Sequence, residues 1–186
     1  MTRSPHLDLA KWYWQRQIAP GDTAIDATCG NGHDTLFLAQ LPLSFLLALD
    51  IQPAAIEKTR SLLALHLNDE ELKRVSLREM SHDDLMKIAC PPPKLVVYNL
   101  GYLPGGDKSI TTKTPSTMTS IASALSILGE NGAISITCYP GHEEGKKEED
   151  ALLEFAGTLP SNQWEVRHHR WLNRLRSPNL IWIARL

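Results

Sequence analysis

The stretch TAIDATCGNGHDT, residues 23–35, decides the fold. Its short apolar segment follows the turn formers at 20–22 and predicts a buried strand that ends at Asp26. Gly30 and Gly32 allow a tight turn in which the backbone approaches a ligand without an intervening Cβ atom. A helix over 33–41 would direct its N-terminal amides at that ligand. Strand, glycine turn and helix together predict the ligand-binding corner of a doubly wound α/β sheet.

The spacing of the glycines distinguishes between ligands. In the dinucleotide pattern G-x-G-x-x-G, the third glycine would fall at position 35, which is Thr35. An NAD-dependent oxidoreductase is therefore kept only as an alternative. The pattern D-x-x-x-G-x-G, from Asp26 to Gly32, resembles the first motif of class I methyltransferases that use S-adenosylmethionine. In that family the acid and the glycine turn hold the aminoacyl end and the sugar of a cofactor without phosphate.

A second acid supports this interpretation. The apolar run 45–50 ends in Asp50 and predicts a buried parallel strand. Asp50 lies 20 positions after Gly30 (50 − 30), where a Rossmann-type sheet places the carboxylate that accepts both ribose hydroxyls. Asp50 could instead cap the helix that starts at Pro53. Because the acid and the glycine turn occur together, we favour a nucleoside-type cofactor.

Length and composition limit the class of protein. A chain of 186 residues, 42% of them hydrophobic, suits one α/β domain with a substantial core. A net charge of −2 provides no overall field for a polyanion, so contact with RNA needs a local basic patch. The three cysteines show no C-x-x-C spacing and no signal peptide precedes them, which predicts a cytoplasmic protein. No apolar run reaches the roughly 18 to 20 residues of a membrane span.

The remaining elements follow from hydrophobic periodicity. Helices are predicted over 7–18, 54–67, 115–128 and 148–159, and further strands over 75–79, 94–100, 133–138, 165–172 and 180–186. After the third strand, Ser81 could cap a helix that begins near Asp83. Class I methyltransferases place a residue that contacts the adenine amino group here, so Ser81 or His82 could have that role.

The loops after the fourth and fifth strands are predicted to face the methyl acceptor, because ligands lie outside the carboxyl ends of such strands. The spacing Asn99-x-x-Tyr102 resembles the N-P-P-Y loop of methyltransferases that act on amino groups of bases. Leu100-Gly101 replaces its two prolines, which argues against adenine or cytosine as the acceptor. Asp107 could equally bind its own backbone in a turn.

Four arginines form the one dense basic patch of the sequence: Arg167, Arg170, Arg174 and Arg176. Most such runs are solvated faces, and strand alternation would separate Arg167 from Arg170. We nevertheless predict that this patch contacts RNA phosphates beside the acceptor.

The chain resembles the YtqB-like "putative rRNA methylase" family, whose studied members are similar to MnmM-type enzymes. The resemblance is carried by four segments, at residues 26–35, 99–107, 139–145 and 171–174. Those enzymes add the last methyl group to 5-aminomethyl-2-thiouridine at the tRNA wobble position. The resemblance implies that residues 1–186 form a single-domain, Rossmann-like class I methyltransferase. Its seven-stranded sheet would be mostly parallel, flanked by helices, with an antiparallel last strand.

The resemblance also implies site residues and partners. S-adenosylmethionine would be bound by Asp26, Gly30, Asn31, Gly32, Asp50, Gln52, Ser81 and His82. The residues that contact the methyl acceptor would be Asn99, Tyr102, Asp107, Tyr139, His142 and Glu143. The partner would be tRNA at its anticodon region; rRNA or a small amine remains an alternative substrate, and the oligomeric state stays open, a homodimer included.

An alkylamine acceptor must lose a proton before it can attack, since its free pKa is close to that of lysine. The loop from Tyr139 to Glu143 is the first candidate to take that proton, and Asp107 is the second. Two further alternatives are a non-catalytic adenosine-cofactor module and metal-dependent hydrolysis through His142 and Glu143. The latter lacks further ligands at metal spacing, so no metal is predicted.

Overall fold

The computed structural model describes residues 4–101, 111–174 and 176–186. Strands and helices alternate along most of the chain. The helices are α1 Pro5–Gln17, α2 His33–Ala39, α3 Pro53–His66, α4 Asp69–Lys73, α5 Thr114–Ile127 and α6 Glu143–Gly157, with a 3₁₀ helix at His82–Lys87. The strands are β1 Thr23–Asp26, β2 Phe45–Asp50, β3 Val75–Glu79, β4 Leu95–Asn99, β5 Ala133–Cys138, β6 Trp164–His169 and β7 Asn179–Arg185.

Within these described ranges, seven strands form one sheet in the order β3-β2-β1-β4-β5-β7-β6. Strands β1 to β5 are parallel, and β7 runs antiparallel to both β5 and β6. The predicted Rossmann-like sheet with an antiparallel last strand is therefore confirmed. The strand order reverses between β1 and β4, so a crevice opens outside their carboxyl ends.

Helices cover both faces of the sheet. One core contains Trp14 of α1, Leu38 of α2 and Leu63 of α3, and the other contains Ile121 of α5 and Leu152 of α6. Burial on both faces explains why β2 is a continuous apolar run rather than an alternating one. Strand β5 alternates isoleucines with Ser135 and Thr137, yet all six of its residues are buried. Burial also fixes the carboxyl ends of these strands, from which the crevice is built.

Three elements differ from the sequence-based expectation by more than one or two residues. Helix α6 begins at Glu143 rather than at Glu148, because the Nδ1 atom of His142 accepts the N–H of Gly145 at 3.1 Å and caps the helix. Strand β6 ends at His169 rather than at residue 172, because its pairing with β7 stops at His169. Helix α4 was not predicted, since it has five residues and buries none of them; an Asn68–Glu71 capping box stabilises it.

The three cysteines are all unpaired. Cys29 and Cys138 are buried, whereas Cys90 is partly exposed. Cys90 precedes β4 and therefore lies at the amino edge of the sheet, opposite the crevice. In the part of the chain that the structure describes, no helix has both the length and the hydropathy that a membrane span needs.

Candidate active site

A cavity of about 980 Å³ occupies the crevice at the carboxyl ends of the parallel strands. Its volume is typical of a small-molecule or cofactor site, for which about 300–1,000 Å³ is usual. One side, the cofactor side, is formed by the glycine turn after β1 and the segments after β2 and β3. The other, the acceptor side, is formed by the start of α2 and the segments after β4 and β5.

The glycine turn forms the floor of the cofactor side. Gly30 and Gly32 both have positive φ angles, of 54° and 84°, which other residues rarely adopt. Gly30 lines the cavity, whereas Gly32 does not: it packs against α3, where an added Cβ atom would lie 2.9 Å from the Cα atom of Thr59. Gly32 therefore shapes the turn by allowing α2 and α3 to approach closely.

Asp50 lines the cavity at the end of β2. Its two carboxylate oxygens accept the backbone N–H groups of Gly30 and Gln52, each at 2.9 Å. A carboxylate offers about four lone-pair positions, so capacity remains for a pair of ribose hydroxyls. Asp50 is not the cap of α3, because Gln52 is the N-cap and the bond to Asp50 uses the N–H of Gln52 itself.

Asp26 does not line the cavity, contrary to the expectation that it would contact the cofactor. It is 1% exposed, its Oδ2 atom accepts the hydroxyl of Thr35 at 2.6 Å, and its Oδ1 atom accepts the N–H of Thr28 at 3.2 Å. Burial raises the pKa of Asp26 to about 7. Asp26 thus supports the glycine turn from beneath.

Ser81 and His82 line the far end of the cofactor side. His82 is buried, and burial lowers the pKa of its imidazole, so the neutral ring predominates at pH 7. Ser81 precedes the 3₁₀ helix, but its side chain makes no capping hydrogen bond, contrary to the capping alternative. A neutral imidazole and a hydroxyl suit an uncharged heterocycle such as adenine.

The acceptor side is organised around Asn99, at the end of β4. Its backbone N–H donates to the hydroxyl of Thr28 at 2.7 Å, and its Nδ2 atom donates to the carboxylate of Asp34 at 3.0 Å. Tyr139 follows β5 and lies close enough to the side chain of Asn99 for the two to interact, and burial raises the pKa of its phenol to about 12. The Tyr139 hydroxyl lies 3.4 Å from the Nε2 atom of His6, so the start of α1 covers this side.

Asp34 was not among the site residues predicted from the sequence, although it lines the cavity. The available signal was its position in the first turn of the helix that follows the glycine turn. That position does not reveal its partner, since Asp34 and Asn99 are 65 residues apart in the chain.

The other predicted acceptor residues have different environments. His142 lines the cavity, whereas Glu143 is exposed and pairs with Lys147 at 2.8 Å, away from the cavity. Tyr102 and Asp107 lie outside the described residues.

One of the four predicted RNA-binding arginines, Arg176, lines the cavity. Arg167 belongs to the outer strand β6. It pairs with Glu165 at 2.8 Å and lies near the ring of Tyr13 of α1. Arg170 and Arg174 are exposed and do not line the cavity. The structure therefore places one of the four arginines, Arg176, at the cavity.

Of the eight predicted cofactor residues, the cavity brings six together, and of the four predicted acceptor residues that the structure describes it brings three. The six are Gly30, Asn31, Asp50, Gln52, Ser81 and His82. The three are Asn99, Tyr139 and His142.

Comparison with known proteins identifies the family. The family model described as "Putative rRNA methylase" matches residues 46–185. A chloroplastic tRNA (mnm(5)s(2)U34)-methyltransferase from Arabidopsis thaliana is 36% identical over 190 residues, which cover 97% of this chain and 69% of the relative.

Two solved structures are similar over the whole chain. A "putative rRNA-methylase" from Clostridium thermocellum is 33% identical with a TM-score of 0.92, and the match covers 100% of both chains. A "putative methyltransferase" from Streptococcus mutans, in complex with S-adenosylhomocysteine, is 33% identical with a TM-score of 0.87, covering 100% of this chain and 99% of that one. The chain therefore belongs to the "Putative rRNA methylase" family, which confirms the family predicted from its motifs.

Proposed function

We propose that this protein transfers a methyl group from S-adenosylmethionine to the primary amine of 5-aminomethyl-2-thiouridine at the wobble position of tRNA. The methyltransferase class and the cofactor are confirmed by the family and by the Streptococcus mutans structure with S-adenosylhomocysteine. The tRNA substrate is supported by the plant relative that matches 97% of this chain.

The cofactor side fits S-adenosylmethionine in the chemistry of its donors and acceptors. Asp50 has the capacity to accept the ribose hydroxyls, and Ser81 and His82 suit the adenine. The exposed backbone at Gly30 would meet the aminoacyl end. When bound, the cofactor supplies a methyl group already activated by its sulfonium, so the protein has mainly to align the acceptor and exclude water.

The single observation that carries the choice of an amine is the Asp34–Asn99–Tyr139 cluster on the acceptor side. A buried carboxylate attracts a cationic alkylammonium, and the carboxamide and phenol offer hydrogen bonds that orient it. A neutral hydroxyl or ring carbon would gain less from a carboxylate at this place.

The arginines extend the proposal to RNA. Arg176 in the cavity wall, with Arg170, Arg174 and Arg167 farther out, would contact phosphates of the anticodon region. We also propose that residues 1–186 act as a single methyltransferase domain. A cytoplasmic location and a homodimer stay predictions.

The alternative of an NAD-dependent oxidoreductase has no support in the glycine turn. Thr35, at the place of the third glycine, is fully buried and donates its hydroxyl to Asp26. Its side chain fills the space between β1 and α2 that the third glycine of a dinucleotide site leaves open.

Nucleoside mass spectrometry tests the substrate. tRNA from cells that lack this protein is incubated with the purified enzyme and S-adenosylmethionine, and rRNA from the same cells serves as the control. We expect the aminomethyl nucleoside to accumulate in those cells and to be converted to its methylated form in vitro. Methylation of the rRNA alone, with an unchanged wobble nucleoside, would contradict the proposal.

A further inference from the structure

Asp34 is the acid of the acceptor side. Among the residues that the structure describes, the other acids that line the cavity are Asp50 and Asp83, which lie on the cofactor side. The Asp34 side chain is buried, and one of its oxygens accepts the Nδ2–H of Asn99. Burying a carboxylate is unfavourable unless it is hydrogen-bonded or paired with a positive charge. Asn99 supplies the hydrogen bond, and a cationic substrate would add a positive charge beside the carboxylate when it binds.

Several charged and titratable groups face Asp34. Lys11 of α1 and the adjacent His33 favour its ionised form, whereas Asp26 beneath it and the Tyr139 phenol interact with it unfavourably as anions. Burial outweighs the favourable groups and raises the pKa of Asp34. A higher pKa brings the carboxylate closer to an alkylammonium in proton affinity, which favours proton transfer between them.

The other described candidates for taking a proton are less suitable. Tyr139 has a pKa of about 12, so at neutral pH its phenol already carries its proton. Glu143 is exposed and paired with Lys147. The Nδ1 atom of His142 already accepts the N–H of Gly145 in the cap of α6, so that lone pair is not available for a substrate proton.

We propose, building on the proposed function, that Asp34 is the catalytic base that takes a proton from a primary alkylammonium group of the substrate held beside Asn99. The N–H bond breaks, the proton joins the Asp34 carboxylate, and its electron pair stays on nitrogen as a lone pair. The new nitrogen–carbon bond forms as the carbon–sulfur bond of the donor breaks, and that electron pair stays on sulfur. The product is a secondary ammonium, and Asp34 then releases its proton to solvent.

The variant Asp34→Asn tests this role, because an asparagine keeps the shape and can still accept from Asn99. The single-turnover rate of methylation is measured against pH with tRNA that carries 5-aminomethyl-2-thiouridine. At neutral pH we expect a loss of about 100-fold or more. The rate of the variant should rise about tenfold per pH unit toward the free amine pKa of about 10, while the wild-type rate levels off earlier. Affinity for S-adenosylmethionine should not change.

Glu57→Gln is the matched control, since it removes a carboxylate from the exposed side of α3, where Glu57 pairs with Arg60. Its pH profile should equal that of the wild type. If Asp34→Asn proves unfolded in urea titrations, Asp34→Ala with added formate replaces it. Restoration of the rate by formate is then the expected result, and no restoration would overturn the proposal.

The outcomes separate the two proposals. A wild-type enzyme that leaves this tRNA unmethylated contradicts the proposed function. An active wild type with an Asp34→Asn variant that keeps the wild-type profile contradicts only the role of Asp34. A loss of methylation rate that is equal at every pH also contradicts the role of Asp34 as a base, since it would mean that Asp34 merely orients Asn99.

Discussion

The two sides of the cavity are built in different ways. On the cofactor side, one carboxylate holds backbone groups of the glycine turn and of the start of α3, as the bonds from Gly30 and Gln52 to Asp50 show. On the acceptor side, the side chains of Asp34, Asn99 and Tyr139 come from three separate elements. The cofactor side therefore depends on backbone conformation and the acceptor side on side-chain chemistry. We expect substitutions to damage folding and cofactor binding on the first, and catalysis alone on the second.

The largest expected effect is on the glycine turn. Gly32→Ala would place a Cβ atom 2.9 Å from the Cα atom of Thr59 and would strain a φ angle of 84°. Strain and overpacking together should lower the free energy of unfolding by about 2–5 kcal/mol. Gly21→Ala is the matched control, because φ is 91° there but nothing lies within 4 Å of the added atom. It should cost only the strain, about 1–2 kcal/mol, in urea titrations.

Asp50→Asn should weaken binding of S-adenosylmethionine by about 10- to 100-fold, because hydrogen bonds to a charged group contribute about 1.5–3 kcal/mol. Glu79→Gln is the control: Glu79 pairs with Asp50 in register at the end of β3 but is exposed and outside the cavity. Isothermal titration calorimetry with both variants measures the difference. Equal affinities would contradict the assignment of Asp50 to the ribose.

On the acceptor side, Tyr139→Phe should reduce kcat by about fivefold through the loss of a hydrogen bond worth roughly 1 kcal/mol. Its affinity for S-adenosylmethionine should stay at the wild-type value. Tyr98→Phe is the control, since the Tyr98 hydroxyl bonds to Ser120 in the core and does not line the cavity. That variant should lose stability but keep kcat. A change in the affinity of Tyr139→Phe for S-adenosylmethionine would contradict the separation of the cavity into a cofactor side and an acceptor side.

The smallest expected effect concerns RNA. Arg176→Ala should weaken tRNA binding and reduce the slope of log affinity against log salt by about 0.7, the value for one phosphate contact on a single strand. Arg167→Ala should have less effect, because Arg167 already pairs with Glu165. Filter binding over a range of salt concentrations compares the two. A larger effect at Arg167 would contradict this and would mean that the RNA passes along the outer face of β6.

The two sides also differ in how far the sequence predicts them. The strands at 45–50 and 133–138 were predicted at their observed bounds, since both are short segments rich in residues that favour strands, and the sheet buries both. The spacing from Gly30 to Asp50 was informative because a turn and the neighbouring strand end are joined by local geometry. Asp34 was missed because its partnership with Asn99 depends on how α2 packs beside β4. Glu143 was assigned to the acceptor by the family resemblance, and the sequence pattern started the helix only at Glu148. The His142 cap that starts α6 at Glu143, where the side chain pairs with Lys147, was not predicted.

Cys90 offers a practical consequence of the sheet's polarity. Burial raises the pKa of all three thiols, so access rather than thiolate formation distinguishes them, and Cys29 and Cys138 are buried. Cys90 is the more accessible thiol and lies at the amino edge, beside the residues that lead into β4. A maleimide dye should therefore attach there selectively, which would allow tRNA capture to be followed by fluorescence without obstructing the catalytic opening.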